Sequence, residues 1–118
     1  IMAGSDFILV PSRFEPCGLT QMYAQRYGAL PIVRETGGLA DTVQDSWARP
    51  DHGTGFSFRD PTNWALGNAM WRGLQAWGTP RYADLQRRAM RRDFSWSTSA
   101  AAYEQIYVDA LVDPIKVF

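Results

Sequence analysis

Apolar and polar positions fall along this chain in blocks of changing period, and the blocks predict strands and helices in alternation. Phe7-Ile8-Leu9-Val10 is a short continuous apolar run closed by Pro11, the pattern of a strand buried on both faces of a parallel sheet. A helix is expected from Gly18 or Leu19 to Tyr27, with Gly28 placed as a left-handed C-terminal cap. Pro31-Ile32-Val33-Arg34 reads as the next strand, and Thr36-Gly37-Gly38-Leu39 turns into a short helix over Leu39–Val43. A polar, turn-rich stretch from Gln44 to Thr54 leads to a small strand, Gly55-Phe56-Ser57-Phe58.

Helices dominate the remainder. Asp60-Pro61-Thr62 is a helix start with Thr62 as cap, and Leu66, Met70, Leu74 and Trp77 follow on one helical face. Pro80 opens a helix that reaches about Arg91. Ser95-Trp96-Ser97 opens a last one, with a stripe of Tyr103, Ile106, Tyr107, Ala110 and Leu111. Strand, helix, strand, helix with short links is part of a doubly wound α/β sheet. Ligands of such sheets bind beyond the carboxyl ends of the strands. The Arg13–Gln21 and Glu35–Asp41 loops both leave carboxyl ends of predicted strands, so both are expected at one crevice.

Composition narrows the class. The 118 residues suit one domain, and 46% hydrophobic content with 14% aromatics supports a real core. Twelve basic residues balance twelve acidic ones, so no global field draws the chain to nucleic acid or membrane. Cys17 is the lone cysteine, which excludes an internal disulfide and fits a reducing compartment. No apolar run approaches the roughly 20 residues needed to span a bilayer. With no recognisable targeting segment and a buried strand almost at once, the chain is expected to be a soluble, intracellular piece of a longer protein.

Chemistry concentrates in Arg13-Phe14-Glu15-Pro16-Cys17-Gly18-Leu19-Thr20-Gln21. A polar loop leaves a strand, carries one carboxylate and turns through a glycine into a helix start, aiming backbone N–H groups at one spot beside Glu15. Phosphate at the helix end and a sugar near the carboxylate would suit it. Plainer roles stand beside these: Glu15 as a helix N-terminal carboxylate, Gly37-Gly38 as a turn, and Asp41 as its brace. Cys17 is expected as a packed thiol rather than a nucleophile, since no histidine is near it in sequence. His52 is a lone loop histidine without metal-ligand spacing. Trp64, Trp71 and Trp77 at helical spacing are expected in core or interdomain packing, with a carbohydrate platform as the alternative. Arg81, Arg87, Arg88, Arg91 and Arg92 are expected on a solvated helix face, Asp84 standing four residues before Arg88.

Pro11–Gln21, Tyr27-Gly28, Pro31-Ile32-Val33 and Thr36-Gly37-Gly38-Leu39-Ala40-Asp41-Thr42-Val43 together resemble bacterial glycogen synthases and plant starch synthases. Gly53-Thr54-Gly55-Phe56 and Phe94-Ser95-Trp96 follow in the order that family uses, so the likeness runs from about residue 7 to residue 107. The resemblance implies a two-domain GT-B glycosyltransferase, with residues 1–118 as the latter part of its Rossmann-like C-terminal, nucleotide-sugar-binding domain. The parallel sheet would be flanked by helices, extra C-terminal helices would follow, and the N-terminal domain would lie elsewhere.

The implied reaction transfers glucose from ADP-glucose to the non-reducing end of an α-1,4-glucan with retention. It implies no cofactor or metal, and a cytoplasmic location in a bacterium or a plastid in a plant. By the same resemblance Glu15 lies beside the donor glucose as the catalytic or donor-positioning carboxylate. The backbone of Cys17 and Gly18 lies near the sugar hydroxyls, Leu19 and Thr20 meet the diphosphate, and Gly37 and Gly38 are further loop contacts. Many retaining GT-B enzymes carry a second glutamate eight positions after the first; Tyr23 stands there, as these synthases commonly also lack it. The family's basic residues for the diphosphate lie upstream of this segment, so the chain alone is expected to be inactive. Two alternatives remain at this point: a GT-B enzyme using UDP-glucose or another acceptor, and a non-catalytic nucleotide-binding or interaction module.

Overall fold

A computed structural model of the chain describes residues 1–112. After a single 3-10 turn at Met2–Gly4, the order is β1 (Phe7–Val10), α1 (Thr20–Arg26), β2 (Leu30–Arg34), α2 (Gly38–Thr42) and β3 (Phe56–Phe58). Three helices follow, α3 (Asn63–Ala76), α4 (Pro80–Met90) and α5 (Trp96–Val112). The strands form one parallel sheet in the order β1-β2-β3, with Phe7 opposite Leu30 and Ile32 opposite Phe56. Both crossovers are helical, as parallel neighbours require.

The punctuation in the sequence acts as chemistry demands. Gly28 closes α1 at φ 81°, a conformation that favours glycine. The Thr62 hydroxyl accepts from the backbone N–H of Ala65 and so caps α3. Thr79 does the same for Tyr82 ahead of Pro80, which takes the first helical turn where its missing N–H costs nothing.

The sheet separates two apolar layers. On one side Leu30, Ile32, Phe56 and Phe58 pack against Ala65, Ala69 and Ala76 of α3 and Tyr82, Leu85 and Ala89 of α4. Phe7 joins this layer, its ring 5.5 Å from that of Tyr82 in edge contact. On the other side Val33, Leu39 and Val43 form a smaller cluster with Val10.

Several expectations are corrected. Among the described residues β1 lies at one edge of the three-stranded sheet, with Leu9 47% exposed, so the burial expected of it is not met within this segment. In α3 the face against the sheet is the small-residue row Ala65, Ala69, Gly73 and Ala76. A Cβ on Gly73 would lie 3.2 Å from the Phe7 ring, so only a small residue permits this close approach. The larger stripe is displaced by one residue: Leu66 packs partly, whereas Met70, Leu74 and Trp77 are exposed. Trp64 and Trp71 are exposed too, which removes the core reading of the tryptophans. The stripe on α5 is uncovered as well, since that helix buries no residue within the described chain. Asp84 pairs with Arg87, not with Arg88.

Candidate functional site

The two loops beyond the carboxyl ends of β1 and β2 meet backbone to backbone. Gly38 donates its N–H to the Pro16 carbonyl at 3.1 Å. A Cβ on Gly38 would stand 2.5 Å from both Cα and the carbonyl oxygen of Cys17. A Cβ on Gly37 would stand 1.8 Å from the Glu15 carbonyl oxygen, and Gly37 also has φ 47°. Both glycines therefore have a structural reason to lack a side chain: they let one loop lie against the other.

Gln21, the first buried residue of α1, ties the assembly together. Its side-chain nitrogen donates to the carbonyls of Cys17 at 3.0 Å and Gly18 at 2.9 Å, and to Thr42 Oγ1 at 3.0 Å. Thr42 in turn donates to the Gly38 carbonyl at 2.6 Å. Gln25, one turn on, reaches the Thr42 carbonyl at 3.1 Å. The Gln21 amide oxygen has no partner among the described residues and occupies the space that a Gly18 Cβ would need, 2.6 Å away. With φ 76°, Gly18 is restricted both by conformation and by room.

The predicted site residues take distinct positions on this frame. Glu15 is half-buried, and among the described residues its carboxylate makes no hydrogen bond or ion pair. Cys17 is exposed, with its thiol turned to the Gly18 carbonyl at 3.6 Å, and is thus not the packed thiol expected. Leu19 is the N-cap of α1 and Thr20 its first residue, both exposed, where the leading N–H groups have no acceptor within the helix. Glu15, Cys17, Gly18, Gly37 and Gly38 are thus brought together, with Leu19 and Thr20 at the next turn. Asp41 is exposed in the first turn of α2, and the bracing expected of it falls to Thr42.

A second polar layer stands behind β2 and β3. Asp45 accepts from Arg72 Nη1 at 2.8 Å, from the Ser57 N–H at 2.7 Å and from the N–H groups of Trp47 and Ala48. Both side chains of the Asp45–Arg72 pair are 12% exposed. Burial pushes the Asp45 carboxyl up, but the Ser57 and Ala48 N–H groups and the Arg72 guanidinium outweigh it and hold the group below the usual carboxylate range. Glu35 behaves alike: burial raises it, while hydrogen bonds from the Ser57 hydroxyl and Arg59 lower it further. Arg34 joins the loop ends, donating to the carbonyls of Arg13 at 2.6 Å and Arg59 at 3.0 Å.

The sequence reading missed Gln21, Gln25, Thr42, Asp45 and Arg72 as organisers of this region. One signal was available for the first two. Glutamines four apart in a short helix, between two glycine turns, offer buried amides to loop carbonyls.

A parallel sheet with helical crossovers, whose two strand-to-helix loops interlock beyond the carboxyl ends, defines a Rossmann-like α/β unit, a class of fold whose ligands bind at that end of the sheet. Over 113 residues the chain is 53% identical to a glycogen synthase of Aeromonas salmonicida, covering 94% of this chain and 23% of that protein. It is 55% identical over 113 residues to the glycogen synthase of Erwinia tasmaniensis, covering 91% of this chain and 23% of the relative. Among solved structures, the catalytic domain of starch synthase IV from Arabidopsis thaliana, bound to ADP and acarbose, superposes with a TM-score of 0.82 at 38% identity. That match covers 95% of this chain and 24% of the Arabidopsis chain. A sucrose-phosphate synthase from Thermosynechococcus elongatus gives a TM-score of 0.61 at 29% identity, covering 91% of this chain and 26% of that one. No protein-family profile matches the chain.

Over nearly its whole length the chain is therefore a homologue of one segment of glycogen and starch synthases, with the GT-B type of α/β fold. It spans about a quarter of the length of the relatives it matches.

Proposed function

We propose that this chain is the donor-binding segment of a retaining glucosyltransferase that moves glucose from ADP-glucose to the non-reducing end of an α-1,4-glucan. The observation that carries the reading is the interlocking of the Glu15–Gly18 loop with Gly37-Gly38, which leaves an unpaired carboxylate beside a helix start. The identity to glycogen synthases and the likeness to a starch synthase bound to ADP and acarbose support the same reading. Glu15 is assigned to the reacting glucose, stabilising positive charge at the anomeric carbon or holding a hydroxyl. The backbone of Cys17 and Gly18 approaches the sugar, while Leu19 and Thr20 present N–H groups to the diphosphate. That leaving group gains negative charge as the bond breaks, so fixed N–H donors favour the transition state over the ground state.

The remaining parts belong to the longer protein: an N-terminal GT-B domain, the acceptor site and the basic residues that meet the diphosphate. No cofactor or metal enters the scheme, and the donor is a substrate. The uncovered stripe of α5, with Tyr103, Ile106, Tyr107 and Leu111 all exposed, is a surface for that missing chain. Among the described residues no helix is long and apolar enough to cross a membrane, and a cytoplasmic or, in a plant, plastid location belongs to the same proposal.

The test is glucose incorporation into glycogen by the full-length protein, with ADP-glucose and UDP-glucose side by side. Strong transfer from ADP-glucose alone is expected. Transfer from UDP-glucose would move the protein toward another GT-B specificity. No transfer from either donor in a folded protein would identify a non-catalytic module.

A further inference from the structure

Away from the loop pair, a cavity of about 440 Å³ opens between the loop that follows α2 and the C-terminal end of α4. Four guanidiniums line it, Arg49 from the loop and Arg88, Arg91 and Arg92 from the helix end, together with His52. Cations at the end of a helix are favourable in their own right, because they meet the negative pole of its dipole. That reason covers the α4 arginines alone. It does not explain why a different element brings Arg49 and His52 to face them.

The other arginine contacts make the contrast plain. Arg59, Arg72 and Arg87 each pair with a carboxylate. Among the described residues, none of the four cavity arginines has such a partner, and no carboxylate lines the cavity. Asp93, next to Arg92, is engaged elsewhere by the Ser95 N–H and the Thr98 hydroxyl. Asp51 meets Arg88 through its backbone carbonyl. Like charges gathered without a counter-charge repel one another, and an anion in their midst relieves that repulsion.

The arrangement is also braced before any ligand arrives. Arg88 donates through Nε to the Gly53 carbonyl at 3.2 Å and through Nη1 to the Asp51 carbonyl at 3.1 Å. Arg49 is held through Nη1 by Gln44 Oε1 at 2.6 Å. In each case Nη2 makes no bond among the described residues. Planar forks held on one side, with donors left over on the other, suit the oxygens of a phosphate. The volume exceeds what a bare phosphate fills. The rest of the wall offers the hydroxyl of buried Thr54 and the imidazole of His52, which suit a hydroxylated body.

We propose that this basin is a second ligand site, separate from the donor loops, that binds the phosphate group of a small phosphorylated sugar. It shares no residue with the Glu15–Thr20 or Gly37-Gly38 loops.

Calorimetric titration of the full-length protein with inorganic phosphate and with fructose 6-phosphate tests it. Each probe should bind saturably, and R49Q/R91Q should weaken binding by about tenfold or more, as loss of charge-assisted contacts predicts. R49K/R91K should recover part of it, because the charge returns without the fork. Gly18→Val, which disturbs the donor loops, should leave the phosphate binding that depends on Arg49 and Arg91 unchanged. Tighter binding of fructose 6-phosphate assigns the site to a sugar phosphate, and equal binding assigns it to phosphate itself. Arg91→Gln alone carries the same test if the double variant does not fold, since the Arg91 side chain holds no other described group. Absence of saturable binding into the millimolar range, equal binding in the glutamine variants, or a loss in Gly18→Val alone would overturn the proposal.

Discussion

The backbone N–H of Gly38 donates to the carbonyl oxygen of Pro16 at 3.1 Å, and at that contact the second strand-to-helix loop rests on the first. The contact requires bare backbone on the Gly38 side, since a Cβ there would overlap Cys17. Gly38→Ala is therefore expected to push the loops apart, costing about 1–3 kcal/mol as overpacking does. Donor binding should fall with it. Gly67→Ala is the control: it lies within α3 with nothing within 4 Å, so it should raise stability slightly through helix propensity. Thermal melts of both variants, with donor binding measured in parallel, check the pair. Equal melting temperatures would count against the packing role of Gly38.

Glu15 gives the opposite signature. Its carboxylate holds nothing among the described residues, so Glu15→Gln should leave the melting temperature unchanged. Glucose transfer by the full-length protein should drop by about 100-fold or more, the scale seen when one electrostatic stabiliser is removed from a transition state. A variant of near-normal rate would move the catalytic assignment away from this residue.

The fold was legible where local chemistry decides it. An apolar run ended by Pro11, a positive-φ glycine at position 28, Thr62 before α3 and Pro80 at the start of α4 mark element ends without help from tertiary contacts. The site loops were legible for the same reason, since glycines at 18, 37 and 38 advertise tight backbone. What stayed hidden depends on partners far along the chain. Arg72 and Asp45 lie 27 residues apart, and Gln21 and Thr42 lie 21 apart, so neither pair shows in any local pattern. The packing face of α3 was hidden differently. Size suggested Leu66, Met70, Leu74 and Trp77, yet close approach to Phe7 and Ile32 selects the alanine and glycine row beside them.

Tyr82 offers a spectroscopic handle on the core. Its hydroxyl donates to the Asp6 carbonyl at 2.8 Å, and burial, aided by the charge and hydrogen bonding of Asp6, pushes its pKa up to about 12. Because the folded value lies above the ordinary tyrosine value of ~10, the hydroxyl stabilises the protein below that pH, and the effect is lost as pH rises through about 12. Tyr82→Phe should cost about 1 kcal/mol at neutral pH, the usual worth of one hydrogen bond. The difference between wild-type and variant phenolate absorbance should show a single late titration. A difference step near 10 would mean that the hydroxyl is not held as described.

Asp45 makes the complementary prediction on the acid side. Its folded pKa lies below the unfolded carboxylate value of ~3.9, so its stabilisation is complete above that pH and fades as pH falls through the folded value. The sign follows from proton uptake: below ~3.9 the unfolded chain binds the proton that the native carboxylate still refuses. Asp45→Asn leaves the Arg72 guanidinium buried without its counter-charge, and loss of one partner of such a pair costs about 3 kcal/mol. Denaturant unfolding from pH 7 down to pH 3 should show that gap constant above about pH 5 and closing below about pH 4, where the unfolded wild-type chain takes up the proton at Asp45. A gap that does not change across this range would assign the loss to packing around Ser57 and Trp47 rather than to the ion pair.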